Sequence, residues 1–156
     1  MARENKLREE PIPRKNDYLK YWRSIYYYTI HKHDITYSDL DVLIFLYSEP
    51  YFTIKKFAEM CKIVQVQRNR IRKMVEKGLI DVFRVGGPGK ARLYQLSRKG
   101  SKIVSTLYKQ MNGGLIQEQN CPIFRKKNAT YMHKRHVHMI LTRNEAIRQR
   151  QHQPHG

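Results

Sequence analysis

Residues 84–100 read RVGGPGKARLYQLSRKG. Glycines and a proline break this stretch, and basic residues flank each break. Two readings compete. A phosphate-cradling loop needs G-x-x-x-x-G-K-[ST] between a strand and a helix. Here Lys90 is followed by Ala91, and the next residues, ARLYQL (91–96), have the character of a strand. The preceding LIDVFRV (79–85) is also rich in β-branched residues. The stretch therefore predicts a β-hairpin with a glycine-rich tip and basic flanks.

Working outward, the hairpin follows several short helical patterns. Asp17 is a candidate cap for a helix with Tyr18, Trp22, Ile25 and Thr29 on one face, Tyr21 and Tyr28 beside them, and Leu19, Tyr26 and Ile30 on another. A helix apolar on more than one side needs more than one neighbour, from its own domain or from a second subunit. HKHD (31–34) reads as a polar break. Thr36 or Ser38 then starts a helix with Leu40, Leu43, Ile44 and Tyr47 at the helical period, ending by Pro50. Tyr51–Thr53 fits a short strand. Thr53 can cap IKKFAEMCKI, with Ile54, Phe57, Ala58 and Cys61 facing inward. QVQRNRIRKMVEKG (65–78) is predicted as a fourth helix with Ile71, Met74 and Val75 buried and Gly78 as its C′ glycine.

After the hairpin, Ser97 is a candidate cap for RKGSKIVSTLYKQM, which ends at Asn112-Gly113-Gly114. Residues 115–128 are predicted irregular around Cys121-Pro122. Asn128 is a candidate cap for a last helix to about Gln151, with Met132, Met139, Ile140 and Ile147 roughly on one side. No internal repeat is present.

Charge points to the partner. The 156 residues carry 31 Lys+Arg against 13 Asp+Glu, a net charge of +18. Such a surface repels itself and usually exists to meet a polyanion, with nucleic acid the first candidate and an anionic membrane the second. Half of the excess sits in residues 65–102, with 11 basic and 2 acidic residues. Residues 125–156 hold 8 basic residues, 1 acid and five histidines. MARENKLREE has no apolar core of a signal peptide, and the longest apolar run, Val42–Tyr47, is far too short to span a bilayer. Cys61 and Cys121 form neither a disulfide framework nor a CxxC metal site. The expectation is a soluble cytoplasmic protein, nucleoid-associated, or a virion component if virus-encoded.

With these pieces in order, the run from Thr36 to Val104 resembles the winged helix-turn-helix of MarR-type regulators. The matching segments are ITYSDLDVLIFLY, FTIKKFAEMC, RIRKMVEKGLI and RLYQLSRKGSKIV; RLYQLSRKG also resembles PadR-type regulators. Arg70 stands where the family usually has an apolar residue, GGPGK replaces the usual Asp-x-Arg of the wing, and residues 115–156 match no part of the pattern. The resemblance implies an α+β, mainly α fold with a β-hairpin wing and additional N- and C-terminal helices. It implies a homodimer with a recognition helix in the major groove of double-stranded DNA and the wing at the minor groove. The organisation expected is a basic flexible arm over 1–16, a winged-helix domain over 17–112, and a basic C-terminal extension over 113–156 carrying one helix and available to other proteins.

The side chains suit that role. Gln65, Arg68, Asn69, Arg72 and Lys73 lie off the apolar stripe or on its border. Arg pairs with guanine O6/N7, and Gln and Asn with adenine N6/N7. Arg84, Lys90 and Arg92 surround a hairpin tip of little bulk, and a narrow minor groove attracts such residues. Lys55 and Lys56 oppose the helix dipole at the start of the third helix, a conflict that an external phosphate relieves. The bland alternative for all ten is an ordinary solvated surface.

Other constellations are weaker. His31 and His33, with His133, His136 and His138, lack the carboxylate or cysteine spacing of a metal site, so they are expected to be solvated or DNA-facing. The Tyr26–Tyr28 run could stack on single-stranded bases but fits packing better. There is no nucleophile–base pair and no paired carboxylates, so no enzyme activity, cofactor or metal is expected. The leading expectation is a sequence-specific, dimeric transcriptional regulator. A non-specific architectural DNA-binding protein, and a structural component using the winged helix as a docking module, remain as alternatives.

Overall fold

The computed structural model describes residues 18–119 and 122–152; the expected basic arm, the Asp17 cap and Cys121 lie outside them. The described chain is α+β and mainly helical, with six α-helices and a two-stranded antiparallel hairpin.

Helix α1 (Tyr18–His33) buries Tyr21, Ser24, Ile25, Tyr28 and Thr29. This i, i+3, i+4 stripe contacts α2, α5 and α6 in the rest of the fold. The helix runs through His31–His33, where a break was expected. It stops at Asp34, whose backbone is left-handed (φ 51), a conformation Asp tolerates.

Thr36 then caps α2 (Tyr37–Leu46): its hydroxyl accepts from Asp39 N, and Asp39 accepts from Thr36 N, closing a capping box. Leu40, Val42, Leu43 and Leu46 enter the core. The expected strand at Tyr51–Thr53 is a single bridge, with Phe52 and Tyr94 exchanging two 2.9 Å backbone bonds. Thr53 caps α3 (Ile54–Val64), which buries Phe57, Met60 and Cys61. Ile54, expected inward, is 38% exposed in the first turn, and Met60 takes its place inside.

The fourth helix is shorter than its pattern. Gln65 adopts the left-handed conformation (φ 55, ψ 45), and both Gln65 N–H and Val66 N–H return to Cys61 O, which ends α3. Residues 65–69 are therefore a turn, and α4 spans Arg70–Glu76 with Ile71 and Met74 buried. Gly78 (φ 72) reverses the chain as expected.

Strands β1 (Ile80–Arg84) and β2 (Leu93–Leu96) pair with Ile80 opposite Leu96 and Val82 opposite Tyr94, and the register shifts between Val82 and Arg84. Gly87 and Lys90 exchange backbone bonds across Pro88-Gly89, with Gly89 at φ 70. Proline then glycine is the order of a tight turn with positive φ at its second corner. The opening stretch is thus a hairpin.

Ser97 caps α5 (Arg98–Met111), accepting from Gly100 N and donating to Gly78 O. After Gly113 (φ 101) the chain passes through a short 3-10 helix, Pro122–Arg125, to α6 (Tyr131–His152). Thr130, not Asn128, caps α6, its hydroxyl accepting from His133 N. Ile116, Ile123 and Ile140 join the same buried cluster as Ile25 and Leu43. The buried side of α6 is mostly polar, with His133, Arg143 and Asn144 beside Ile140. Met132, expected on that side, is 59% exposed.

Candidate nucleic-acid interface

One buried carboxylate sets the position of α4. Asp39 has no exposed surface. Arg70 Nη1 donates to its Oδ1 at 3.0 Å and to Thr36 Oγ1 at 3.3 Å. Lys77 Nζ donates to Oδ2 at 2.9 Å, and Thr36 N–H donates to the same oxygen at 3.1 Å. Arg70 is the first residue of α4, and Lys77 follows its last. A seven-residue helix is marginal by itself; here both ends are tied to one anion on α2. Burial pushes the Asp39 carboxyl up, but the bonds from Lys77, the Thr36 backbone and Arg70 together outweigh it and hold it below the usual carboxylate range. Arg70 at a position where the resemblance expects an apolar residue thus has a structural reason.

All ten residues expected at the interface are exposed, and they occupy four adjoining parts of the fold. Lys55 and Lys56 lie in the first turn of α3, where Lys56 pairs with Glu49 at 3.7 Å. Gln65, Arg68 and Asn69 lie in the turn between α3 and α4 rather than on a helix, a correction to the expected 65–78 helix. Asn69 is the N-cap residue of α4 but makes no capping bond with its side chain, which leaves the amide available. Arg72 and Lys73 project from α4 itself. Arg84, Lys90 and Arg92 lie on the hairpin, where Arg84 donates to Ala91 O at 3.1 Å and so braces the loop.

The hairpin adds apolar surface. Val82, Phe83 and Val85 are exposed on or just beyond β1, and Phe83 stacks on Tyr51 at 4.1 Å between ring centres. At the tip, a side chain at Gly86 would press on the backbone of Lys90 and Arg92, so glycine permits the close crossing there.

Two of the histidines, His133 and His136, have a different role from the one expected, while His31 and His138 are exposed as expected. His133 is buried: one ring nitrogen lies 2.7 Å from Ile123 O and the other 2.7 Å from the Tyr27 hydroxyl. The carbonyl can only accept, so Nε2 donates to Ile123 O, and Nδ1 faces the Tyr27 hydroxyl. His136 bonds Ser24 at 2.9 Å and stacks on Tyr27 at 4.4 Å. These rings join α6 to α1. Desolvation first, and His133 next, push His31 and His136 below the ordinary histidine range. Tyr26 is half-buried, and burial first, then Asp41 and Tyr108, push its hydroxyl up to about 12. No group of three or more His, Cys, Asp or Glu among the described residues could hold a metal ion. No helix among them is long and apolar enough to cross a membrane.

Asp39 and Lys77 are not among the residues singled out by charge or period. The visible signal is Thr36-x-x-Asp39, the spacing of a capping box. Comparison of the chain with protein-family models, with curated proteins and with solved structures gave no match.

Proposed function

We propose that the chain is a winged helix-turn-helix protein that binds double-stranded DNA sequence-specifically as a homodimer and acts as a transcriptional regulator. In this reading α3 and α4 are the helix-turn-helix and the β1–β2 hairpin is the wing. The observation that carries it is the set of exposed cations at the interface. Of Lys55, Lys56, Arg68, Arg72, Lys73, Arg84, Lys90 and Arg92, Lys56 alone makes an ion pair among the described residues. Largely unpaired charge spread over these four adjoining parts costs self-repulsion that a phosphate backbone relieves. Gln65, Arg68 and Asn69 lead into α4, and residues at the N-terminal end of a recognition helix are the ones that reach base edges.

A homodimer is supported by an open groove of about 480 Å³ between α1, α2 and α5. Leu19, Trp22, Tyr26, Ile44, Leu107 and Met111 line it, and Leu19 is 70% exposed. Exposed apolar surface of this kind marks an interaction site.

Selection from a random duplex library at about 150 mM salt, where non-specific binding is weak, tests the reading. Enrichment of a two-fold symmetric motif is expected, with Asn69→Ala or Arg68→Ala relaxing it at defined positions. Binding without enrichment would replace this reading with a non-specific architectural one. No binding would leave the fold as a protein-docking module.

A further inference from the structure

A second group of cations lies beyond the interface. No acidic residue occurs between Glu118 and Glu145. Within that span Arg125, Lys126, Lys127, Lys134 and Arg135 are all exposed, and none makes an ion pair among the described residues. The histidines of α1 show how this group connects to the hairpin. β2 leads through Ser97 into the first turns of α5, where Arg98, Lys99 and Lys102 are exposed. α5 packs along α1, and Trp22 and Tyr26 of α1 share one groove with Leu107 and Met111 late in α5, so the first turns of α5, with Lys99 and Lys102, lie toward the end of α1 at Lys32 and His33. On the other side the His31 ring lies 6.2 Å from that of His133 on α6, and α1 packs on the 3-10 helix that immediately precedes Lys126. The end of α1 therefore stands between the foot of the hairpin and the start of α6, with cations on both sides of it.

We propose that these residues form one continuous track for the phosphate backbone of duplex DNA, running from the hairpin's foot (Lys99, Lys102) across the end of α1 (Lys32) to Lys126, Lys127, Lys134 and Arg135. The proposal rests on the duplex-binding reading and extends its footprint onto the C-terminal segment. The track carries no sequence readout: it lengthens the grip and fixes the direction in which the duplex leaves the wing. Its continuity with the interface makes the same duplex its occupant, and the Tyr27–His133–His136 joint holds α6 in place to receive it.

The test is the salt dependence and length dependence of binding by the full chain and by Lys126→Gln/Lys127→Gln/Lys134→Gln/Arg135→Gln, with folding checked by circular dichroism. Removing four phosphate contacts from each protomer should lower the slope of log K against log salt by about 3.6 per protomer bound. The affinity gap between the two proteins then shrinks about 100-fold per protomer between 50 and 200 mM salt. The gap should appear on a duplex of about four helical turns and vanish on one of about two turns, ~20 bp, which the two interfaces of a dimer fill by themselves. If the wild type binds and the quadruple variant matches it in slope on the long duplex, the track is wrong and the interface stands. A wild type that binds no duplex overturns the duplex reading itself.

Discussion

Replacing Asp39 should damage the molecule more than replacing any exposed cation of the candidate interface, although Asp39 itself is fully buried. In Asp39→Ala the capping box of α2 is lost, worth about 1 kcal/mol. Arg70 and Lys77 also lose their shared anion. Stranding a charge in a buried pair costs about 3–5 kcal/mol. Here the Arg70 and Lys77 side chains are 22% and 39% exposed, so water recovers much of that. Together the expected loss is about 3 kcal/mol, a large share of the 5–15 kcal/mol of a typical domain. Asp39→Asn keeps an acceptor for Thr36 N–H but not the charge, and should cost about 1–2 kcal/mol.

Urea unfolding at pH 7 measures both variants, with the change read from the midpoint at constant m. Acid supplies an internal check. The folded-state pKa of Asp39 lies below its unfolded value, so its contribution is full above the unfolded value and disappears as pH falls through the folded one. The gap between wild type and Asp39→Asn should therefore close below about pH 4. An Asp39→Ala variant within about 0.5 kcal/mol of wild type would refute the clamp. So would a gap that stays constant into acid.

Three further outcomes follow from other contacts. Gly100→Ala would place a Cβ 2.5 Å from Leu79 O and 3.2 Å from Leu43 Cδ2, so a loss of about 1–3 kcal/mol in thermal or urea unfolding is expected. Asn144→Ala removes the amide that accepts from Ile116 N–H and donates to Ile116 O and Glu118, leaving both buried Ile116 groups unpaired; about 1–3 kcal/mol should be lost, with hydrogen exchange rising at Ile116. His31, His33 and His136 all have depressed pKa values in the folded state, each first through desolvation. The unfolded chain takes up these protons first, so Tm should fall as pH drops below about 6.5 and level off once the folded state is also protonated. A Tm unchanged between pH 7.5 and 5.5 would contradict that assignment.

Wherever the backbone is fixed by a local signal, the elements could be read from the sequence. Thr36, Thr53 and Ser97 cap the helices they were expected to cap, and Gly78 and the Pro88-Gly89 corner turn the chain where expected. The exposure of the cations proposed for the interface was legible too, because exposed charge needs no partner to be recognised. The turn at 65–69 was not. Gln65 carries no glycine or proline to announce a left-handed backbone, and the pattern of Ile71, Met74 and Val75 extends smoothly backwards into it.

The C-terminal segment was hidden for a more general reason. Periodicity counts apolar residues, yet the face of α6 that enters the fold is built from His133, Arg143 and Asn144. Each is satisfied by a carbonyl or hydroxyl supplied from far along the chain: Ile123 O and Tyr27 for His133, Gln110 O and Gly114 O for Arg143, Ile116 for Asn144. The carbonyls of Gly114 and Ile116 can accept because the irregular run after Gly113 leaves them outside any ladder, while Gln110 O at the end of α5 takes Arg143 in addition to Gly113 N–H. A polar helix face and a backbone without regular structure thus complete each other, and neither shows by itself in the sequence. The same pairing leaves the opposite side of α6 free to display Lys134 and Arg135, so the burial that makes the helix hard to read also sets its charge facing outward.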